Sequence, residues 1–162
     1  MIPPRTSERV WELLRTIPDP EIPVISLVDL RVVTSVQLDG CAVSVTLRPT
    51  FSGCPALHHM REEVERVLKA DGFSPVRVTV DHTVSWSTND LDASTKDRLR
   101  SMGIAPPPMR THDLARDLGA PVVCPLCGSR ETRLDSTFGS TLCKQIFFCH
   151  SCRQSFDRFK PL

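Results

Sequence analysis

The chain has 162 residues, and its 20 basic and 19 acidic side chains leave a formal net charge of +1. So small a charge excludes a global field that would draw the protein toward nucleic acid or an anionic membrane. No apolar run approaches the roughly 20 residues that a membrane-spanning helix needs, and the first residues lack a secretory apolar core, so we expect a cytoplasmic protein. Thiols stay reduced in that compartment, so the seven cysteines are expected to be metal ligands or reactive thiols.

Apolar spacing predicts a helix over residues 7–17, in which Ser7 is the cap and Pro18 ends the helix. The stiff acidic segment Asp19-Pro-Glu-Ile-Pro23 cannot form a helix interior, because its prolines remove backbone donors. Two strands are then predicted, over residues 32–38 and 41–47, joined by a hairpin turn at Asp39-Gly40.

The alternation of the second strand places Cys41 on the same face as its valines, so we expect Cys41 to be a small core residue. A second helix is predicted from Pro55 to about Ala70, a third strand over residues 76–80, and a last helix from about Ala93 to Met102. The order helix, strand, strand, helix, strand, helix predicts a two-layer α+β domain over residues 1–105.

The composition changes after this domain. Residues 106–121 open with three prolines and are predicted to form a linker, with room for one short helix capped by Thr111. Residues 122–162 hold five of the seven cysteines and five of the seven phenylalanines. This concentration predicts a separate small module with its own aromatic core.

Two C-x2-C pairs, Cys124/Cys127 and Cys149/Cys152, are separated by 21 residues. Each pair can form a tight turn that points two thiolates at one ion, and four thiolates close a tetrahedral structural site. About forty residues cannot bury enough apolar surface to fold alone, so metal binding is expected to stabilise the module. Zinc is the expected ion, and a rubredoxin-like iron site is the alternative.

Cys143 stands outside these pairs. It could replace a ligand or be a free thiol, but we expect it to pack in the small core. His150 lies between the two cysteines of the second pair, inside the tight turn known as a zinc knuckle, and is expected to face water. Zinc ribbons often bind nucleic acid, but residues 121–162 carry six basic and three acidic side chains, and a tetrathiolate site adds a charge of about −2. The basic surplus nearly vanishes, which disfavours an adaptor that binds nucleic acid.

Cys54 is the remaining cysteine of interest. If Pro55 is the first helical residue, Cys54 occupies the N-cap, where the helix dipole lowers the pKa of a thiol. Asp19 and Glu21 would be its neighbours if the fold brings the acidic loop to the helix start. His58 lies one turn along and could pair with Cys54, but we expect His58 and His59 to be solvated. The alternative for Cys54 is a small buried hydrophobic residue.

These motifs carry a family resemblance. The segments DPEIP at 19–23, VDL at 28–30 and TFSGCP at 50–55, with Trp86-Ser87-Thr88 and GIAPP at 103–107, resemble the MIP18 (DUF59) family of iron-sulfur assembly factors. The cysteine-rich tail, with CPLCGS at its start and FDRFK near its end, resembles the C-terminal part of the PaaD family of phenylacetyl-CoA ring-epoxidase accessory proteins.

The resemblance implies a non-enzymatic cytoplasmic factor that helps insert or repair an iron-sulfur or di-iron centre in a multicomponent oxygenase of aerobic phenylacetate degradation. Cys54 would handle transient iron or a cluster, with Asp19 and Glu21 beside it, and the four paired cysteines would hold structural zinc. The implied partners are the oxygenase and reductase subunits and iron-sulfur scaffold proteins, and the chain could form a homo-oligomer. Arg31 departs from the family, which usually has glycine there. The rival enzymatic hypothesis is a thiol oxidoreductase that uses Cys54.

Overall fold

A computed structural model describes residues 5–108 and 113–161 of the chain. Its contacts divide into two compact units, Met1–Trp86 and Ser87–Leu162. Within the described residues, none of the helices combines the length and the apolar character that crossing a bilayer requires.

The first unit contains two helices and one sheet, namely α1 (Ser7–Arg15), β1 (Val33–Asp39), β2 (Ala42–Leu47), α2 (Leu57–Ala70) and β3 (Val76–Val80). β1 pairs antiparallel with β2, and β2 pairs parallel with β3 through the crossover helix α2. The element order predicted from the sequence is confirmed for this unit.

The two helices lie on one face of the sheet, as a two-layer fold requires. Alternate residues of β2 are buried, and they meet the buried stripes of the helices. The stripes consist of Val10 and Leu14 on α1 and Met60, Val64 and Leu68 on α2. Thr6, one residue before the predicted cap, accepts a hydrogen bond from the Arg9 amide and caps α1.

The prediction that Cys41 is a core residue is wrong. Gly40 adopts a positive φ of 59° in the hairpin turn, and the strand begins only at Ala42. Cys41 has the strand parity of the buried valines, but it lies in the turn beyond the end of the ladder, where its side chain is exposed and contacts the Arg5 guanidinium. Strand alternation predicts burial only where another layer covers the strand.

The second unit contains a short 3-10 turn (Thr88–Asp90) followed by α3 (Ala93–Ser101), β4 (Ile104–Ala105), α4 (Leu114–Gly119), β5 (Thr132–Ser136), β6 (Lys144–Cys149) and β7 (Ser155–Phe159). The strand order is β4-β7-β6-β5, in which only the β4/β7 pair is parallel. β4, which lies at the end of the predicted α+β domain, pairs with β7 and so belongs to the sheet of this unit.

Helix α4 lies inside the segment predicted as a linker, residues 106–121. The Asp113 side chain accepts a hydrogen bond from the Arg116 amide and caps the helix. Thr111, the predicted cap, lies outside the described residues. Arg158 of β7 is fully buried and anchors the end of α4, since its guanidinium donates to the carbonyls of Asp117 (2.8 Å) and Leu118 (3.1 Å). Burial lowers the pKa of Arg158 to about 10, so the side chain is still charged at neutral pH.

Candidate metal centre and cysteine site

The four paired cysteines come together at one end of the second unit. The Sγ atoms of Cys124, Cys127, Cys149 and Cys152 all lie within 4.8 Å of one another. The Cys124–Cys152 sulfur distance is 3.8 Å and the Cys127–Cys149 distance is 3.6 Å. Four sulfurs placed 2.3 Å from a tetrahedral zinc ion would be about 3.8 Å apart, so this cluster fits a tetrathiolate ion.

Each cysteine pair sits in a turn of the same construction. Gly128 donates its amide to the Cys124 carbonyl (2.9 Å), and Arg153 donates its amide to the Cys149 carbonyl (2.9 Å). Both donors adopt positive φ, 78° and 58°. A left-handed residue after the second cysteine reverses the chain, which leaves both sulfurs of a pair on the same side. These turns are the knuckles predicted from the sequence.

The protonation of the cluster also suits a cation. Burial raises the pKa of Cys124, and it raises the pKa of Cys152 to about 12. In contrast, hydrogen bonds from the Cys152 amide and other donors lower the pKa of Cys149 to about 7. Without a cation, these thiols would therefore not all be ionised at neutral pH. A metal ion supplies the positive charge that stabilises four thiolates together, and its binding releases protons.

The cluster is part of the apolar core of this unit. Cys124 and Cys149 are buried against Phe147 and Phe156, whose stacked rings have centroids 6.0 Å apart. Cys143 is buried outside the cluster, and its sulfur lies 3.1 Å from the Thr141 hydroxyl. The expectation that Cys143 packs in the core is therefore confirmed.

Cys54 lies in the first unit, in the loop between β2 and α2. The helix begins at Leu57 rather than at Pro55, and the N-cap residue Ala56 makes no side-chain cap. The Cys54 amide donates to the Phe51 carbonyl (3.0 Å), and its carbonyl accepts from the Leu57 amide (3.2 Å). These bonds form a turn that leaves the cysteine half-buried.

The predicted lowering of the Cys54 pKa is wrong. Burial raises the pKa of the thiol, the carboxylates of Glu21 and Asp19 raise it further, and the amides of Ala56 and Leu57 only partly oppose this change. The prediction failed because the helix starts three residues later than Cys54 and because the acidic loop lies close to the sulfur. The charges of Glu21 and Asp19 thus act on the Cys54 thiol, as expected if the acidic loop lies on the same side of the unit.

Asp19 also shapes the acidic loop itself. Its carboxylate is buried, and Oδ1 accepts hydrogen bonds from the amides of Glu21 (2.9 Å) and Ile22 (2.8 Å). Its own amide donates to the Ile25 carbonyl at 2.8 Å. One carboxylate oxygen of Asp19 therefore accepts hydrogen bonds from the backbone of the loop that contains Glu21.

The turn after the acidic loop keeps its shape despite Arg31. Arg31 adopts a φ of 58°, the conformation that glycine favours, and its amide donates to the Val28 carbonyl (3.0 Å). Trp86 is buried behind this turn and donates its indole N–H to the Leu30 carbonyl (2.7 Å). No pattern in the sequence predicts this role of Trp86, although an indole buried next to a loop needs an acceptor.

His58 is 81% exposed in its side chain and lies 3.1 Å from the Glu62 carboxylate on α2. This geometry supports the interpretation of His58 as a solvated helix residue. Among the residues that the structure describes, the four cysteines are the one group of three or more ligand side chains gathered around a common point. Cys54, Asp19 and Glu21 do not form such a group in the described part of the chain.

Comparisons with known proteins match the two parts of the chain to two different families. Residues 109–160 match the family model of the PaaD zinc beta ribbon domain, and residues 7–80 match that of an iron-sulfur cluster assembly protein. A protein from Escherichia coli (strain K12), described as a putative subunit of 1,2-phenylacetyl-CoA epoxidase, is 41% identical over 158 residues, which cover 98% of this chain and 94% of that protein.

Two solved structures share the fold of the assembly domain. A DUF59 domain of unknown function from Bacillus anthracis has a TM-score of 0.53 at 24% identity, and the match covers 57% of this chain and 89% of that one. A conserved hypothetical protein from Thermotoga maritima has a TM-score of 0.51 at 23% identity, with 58% and 93% covered. The α+β fold with an added ribbon is confirmed, and the chain belongs to the PaaD family, in which an iron-sulfur cluster assembly domain is joined to a zinc β-ribbon.

Proposed function

We propose that the protein is a maturation factor, not an enzyme, that helps load an iron-sulfur or di-iron centre into a phenylacetyl-CoA epoxidase. The observation that carries the proposal is the position of Cys54, half-buried on a turn where the charges of Glu21 and Asp19 act on its thiol. A full-length relative named as a component of that epoxidase supports the choice of client.

A single cysteine suits a cargo that must be released. A tetrathiolate cage holds an ion in a closed site, whereas one thiolate with acidic side chains nearby leaves ligand positions of a bound iron atom open, so that another protein can complete the ligand set. The raised pKa of Cys54 keeps the thiol protonated at rest. Iron would displace that proton, and the client's own ligands would then take the iron over.

The ribbon has a separate task in this proposal. Cys124, Cys127, Cys149 and Cys152 hold one zinc ion, which completes the core of the second unit and contributes no chemistry to the transfer. The partners are the oxygenase and reductase subunits of the epoxidase, together with iron-sulfur scaffold proteins, and the site of action is the cytoplasm.

The geometry gives less support to a thiol oxidoreductase. Cys41 precedes β2 and Cys54 follows its other end, and a strand of six residues spans about 20 Å, too far for a disulfide. Nucleic-acid binding is also less well supported, since two of the six basic residues of the ribbon, Lys144 and Arg158, are buried.

The test is to mature the epoxidase in cells that carry Cys54→Ala. We expect the epoxidase to be purified with its iron content reduced at least fivefold and its activity reduced in proportion. Cys41→Ala is the matched control, because Cys41 is an exposed cysteine of the same unit. Full iron loading with Cys54→Ala would refute the role of Cys54.

Metal analysis of the anaerobically purified protein separates the two sites. We expect one zinc per chain in the wild type and in Cys54→Ala, with additional iron only in the wild type after incubation with ferrous iron. Loss of the zinc in Cys54→Ala would contradict the assignment of the zinc to the ribbon.

A further inference from the structure

The hairpin connection of the ribbon between β5 and β6 displays two large apolar side chains. Phe138 is 66% exposed and Leu142 is 44% exposed, while the other ribbon phenylalanines are buried or half-buried. We call residues 136–144 the Phe138 loop. An exposed phenylalanine contributes nothing to the core, so its presence at the tip of a hairpin points to contact with another molecule.

The Phe138 loop is rigidly built, although it is exposed. The Ser136 hydroxyl accepts from the Phe138 amide (3.1 Å) and donates to the Phe138 carbonyl (2.8 Å). The Gly139 amide donates to the Lys144 carbonyl (2.9 Å), and the Lys144 amide donates to the Thr141 carbonyl (3.1 Å). The backbone that carries Phe138 is therefore ordered before any partner binds, which lowers the entropic cost of association.

The backbone of the Phe138 loop needs glycine at one position. A Cβ atom on Gly139 would lie 3.0 Å from the Lys144 Cβ and 3.1 Å from the Lys144 carbonyl carbon. Backbone atoms cannot give way as a flexible side chain can. A larger residue at 139 would therefore reorient Phe138 while leaving its ring in the sequence.

A positive charge lies beside the displayed ring. The Lys160 ammonium is 4.9 Å from the centroid of Phe138 and donates to the Leu142 carbonyl (2.7 Å). Among the described residues no carboxylate pairs with Lys160. The surface thus combines an exposed aromatic ring with a cation that no carboxylate of the described residues neutralises, and its complement is an apolar pocket with acidic residues at the rim.

We propose that the Phe138 loop is the docking knob by which the ribbon binds its client protein, inserting Phe138 into an apolar pocket whose rim carries carboxylates that face Lys160. The choice of client rests on the proposed function, so the probe is the purified epoxidase complex of the same organism, assembled without this chain. The affinity is measured by biolayer interferometry with the full-length chain immobilised.

Phe138→Ala should weaken the affinity at least tenfold, because a central aromatic anchor carries a large part of the binding energy. Gly139→Ala should weaken it as well, although the ring remains. Lys160→Glu should slow association, and the loss should shrink as the salt concentration rises. Leu126→Ala is the matched control, since Leu126 is 54% exposed on the first knuckle of the same unit, and it should bind within twofold of the wild type.

Two measurements keep the outcome unambiguous. Each variant must carry one zinc per chain, so that lost binding is not lost folding. Cys54→Ala should bind as tightly as the wild type, so a failure of the maturation proposal leaves the docking result intact. Binding of Phe138→Ala within twofold of the wild type, an equal loss with Leu126→Ala, or no binding of the wild type to the complex would overturn the inference. A dimer that dissociates with Phe138→Ala would also overturn it, by assigning the knob to a second copy of the chain.

Discussion

Replacing Asp19 by asparagine should separate the two tasks of that carboxylate. Oδ1 accepts two backbone hydrogen bonds inside the acidic loop, from Glu21 and Ile22. Asparagine keeps an oxygen at this position and removes the charge, whereas alanine removes both. Hydrogen bonds to a buried charged group contribute about 1.5–3 kcal/mol each, so losing both in Asp19→Ala should lower the free energy of unfolding of the first unit by about 3–6 kcal/mol. Asp19→Asn should lower it by less than half as much.

The same substitution should change the titration of Cys54. The Asp19 charge raises the pKa of the thiol, so its removal in Asp19→Asn should lower that pKa. Glu21→Gln should lower it more, since the Glu21 charge has the larger effect. Lower pKa values shift the pH profile of alkylation by iodoacetamide toward lower pH.

Two assays measure these effects independently. Urea unfolding can be followed by tryptophan fluorescence, because both tryptophans, Trp11 and Trp86, lie in the first unit. Alkylation of Cys54 is measured in a Cys41→Ala background, so that the exposed Cys41 of the same unit does not react. The reasoning is refuted if Asp19→Asn destabilises the unit as much as Asp19→Ala, or if the alkylation profile of Cys54 stays in place or moves to higher pH.

The remaining predictions concern other parts of the chain. Removing the metal with a chelator, or replacing Cys149 by serine, should unfold the ribbon while the tryptophan fluorescence of the first unit stays native. Limited proteolysis should then cut the ribbon first, and equal cutting of both units would contradict this prediction. Arg158→Met should lower the free energy of unfolding of the second unit by about 2–4 kcal/mol, because two helix carbonyls lose their donor. Urea unfolding followed by far-UV circular dichroism measures this change. An unchanged midpoint would contradict the role of Arg158 in anchoring α4. Gly40→Ala should lower the free energy of unfolding by about 1 kcal/mol through backbone strain alone, since no atom lies within 4 Å of the added methyl group. Arg9 holds the pKa of Asp71 below its usual value, so the Arg9–Asp71 pair stabilises the fold at pH values above the unfolded pKa of about 4. This stabilisation is lost as the pH falls through the pKa of Asp71 in the folded state. Asp71→Asn should therefore reduce the pH dependence of the free energy of unfolding in the acid range, and an unchanged pH dependence would contradict this prediction.

Much of the fold could be predicted because the signals were local. The hairpin at Asp39-Gly40 and the helix exit at Asp71-Gly72 follow from turn chemistry, and Gly40 and Gly72 do adopt positive φ. The four-cysteine cluster was predictable for the same reason, since the spacing within each C-x2-C pair determines the shape of the turn that carries it. These features need no knowledge of distant contacts.

Features that depend on distant contacts could not be predicted. The exposure of Cys41 depends on where the helices end over the sheet, and the environment of Cys54 depends on a loop more than thirty positions earlier in the chain. The place of β4 in the second sheet depends on a two-residue pairing with β7, which is too short to leave a pattern in the sequence. Sequence spacing alone cannot decide such questions, because each is settled by which surface happens to cover the residue.

The burial of two ligand cysteines among the ribbon phenylalanines has a consequence for the life of the protein in the cell. An ion whose ligands belong to the core cannot leave without disassembling it, and an unfolded ribbon is a substrate for cellular proteases. We therefore expect the abundance of the protein to fall during zinc starvation or strong thiol oxidation, so that supply of the factor follows the metal status of the cell.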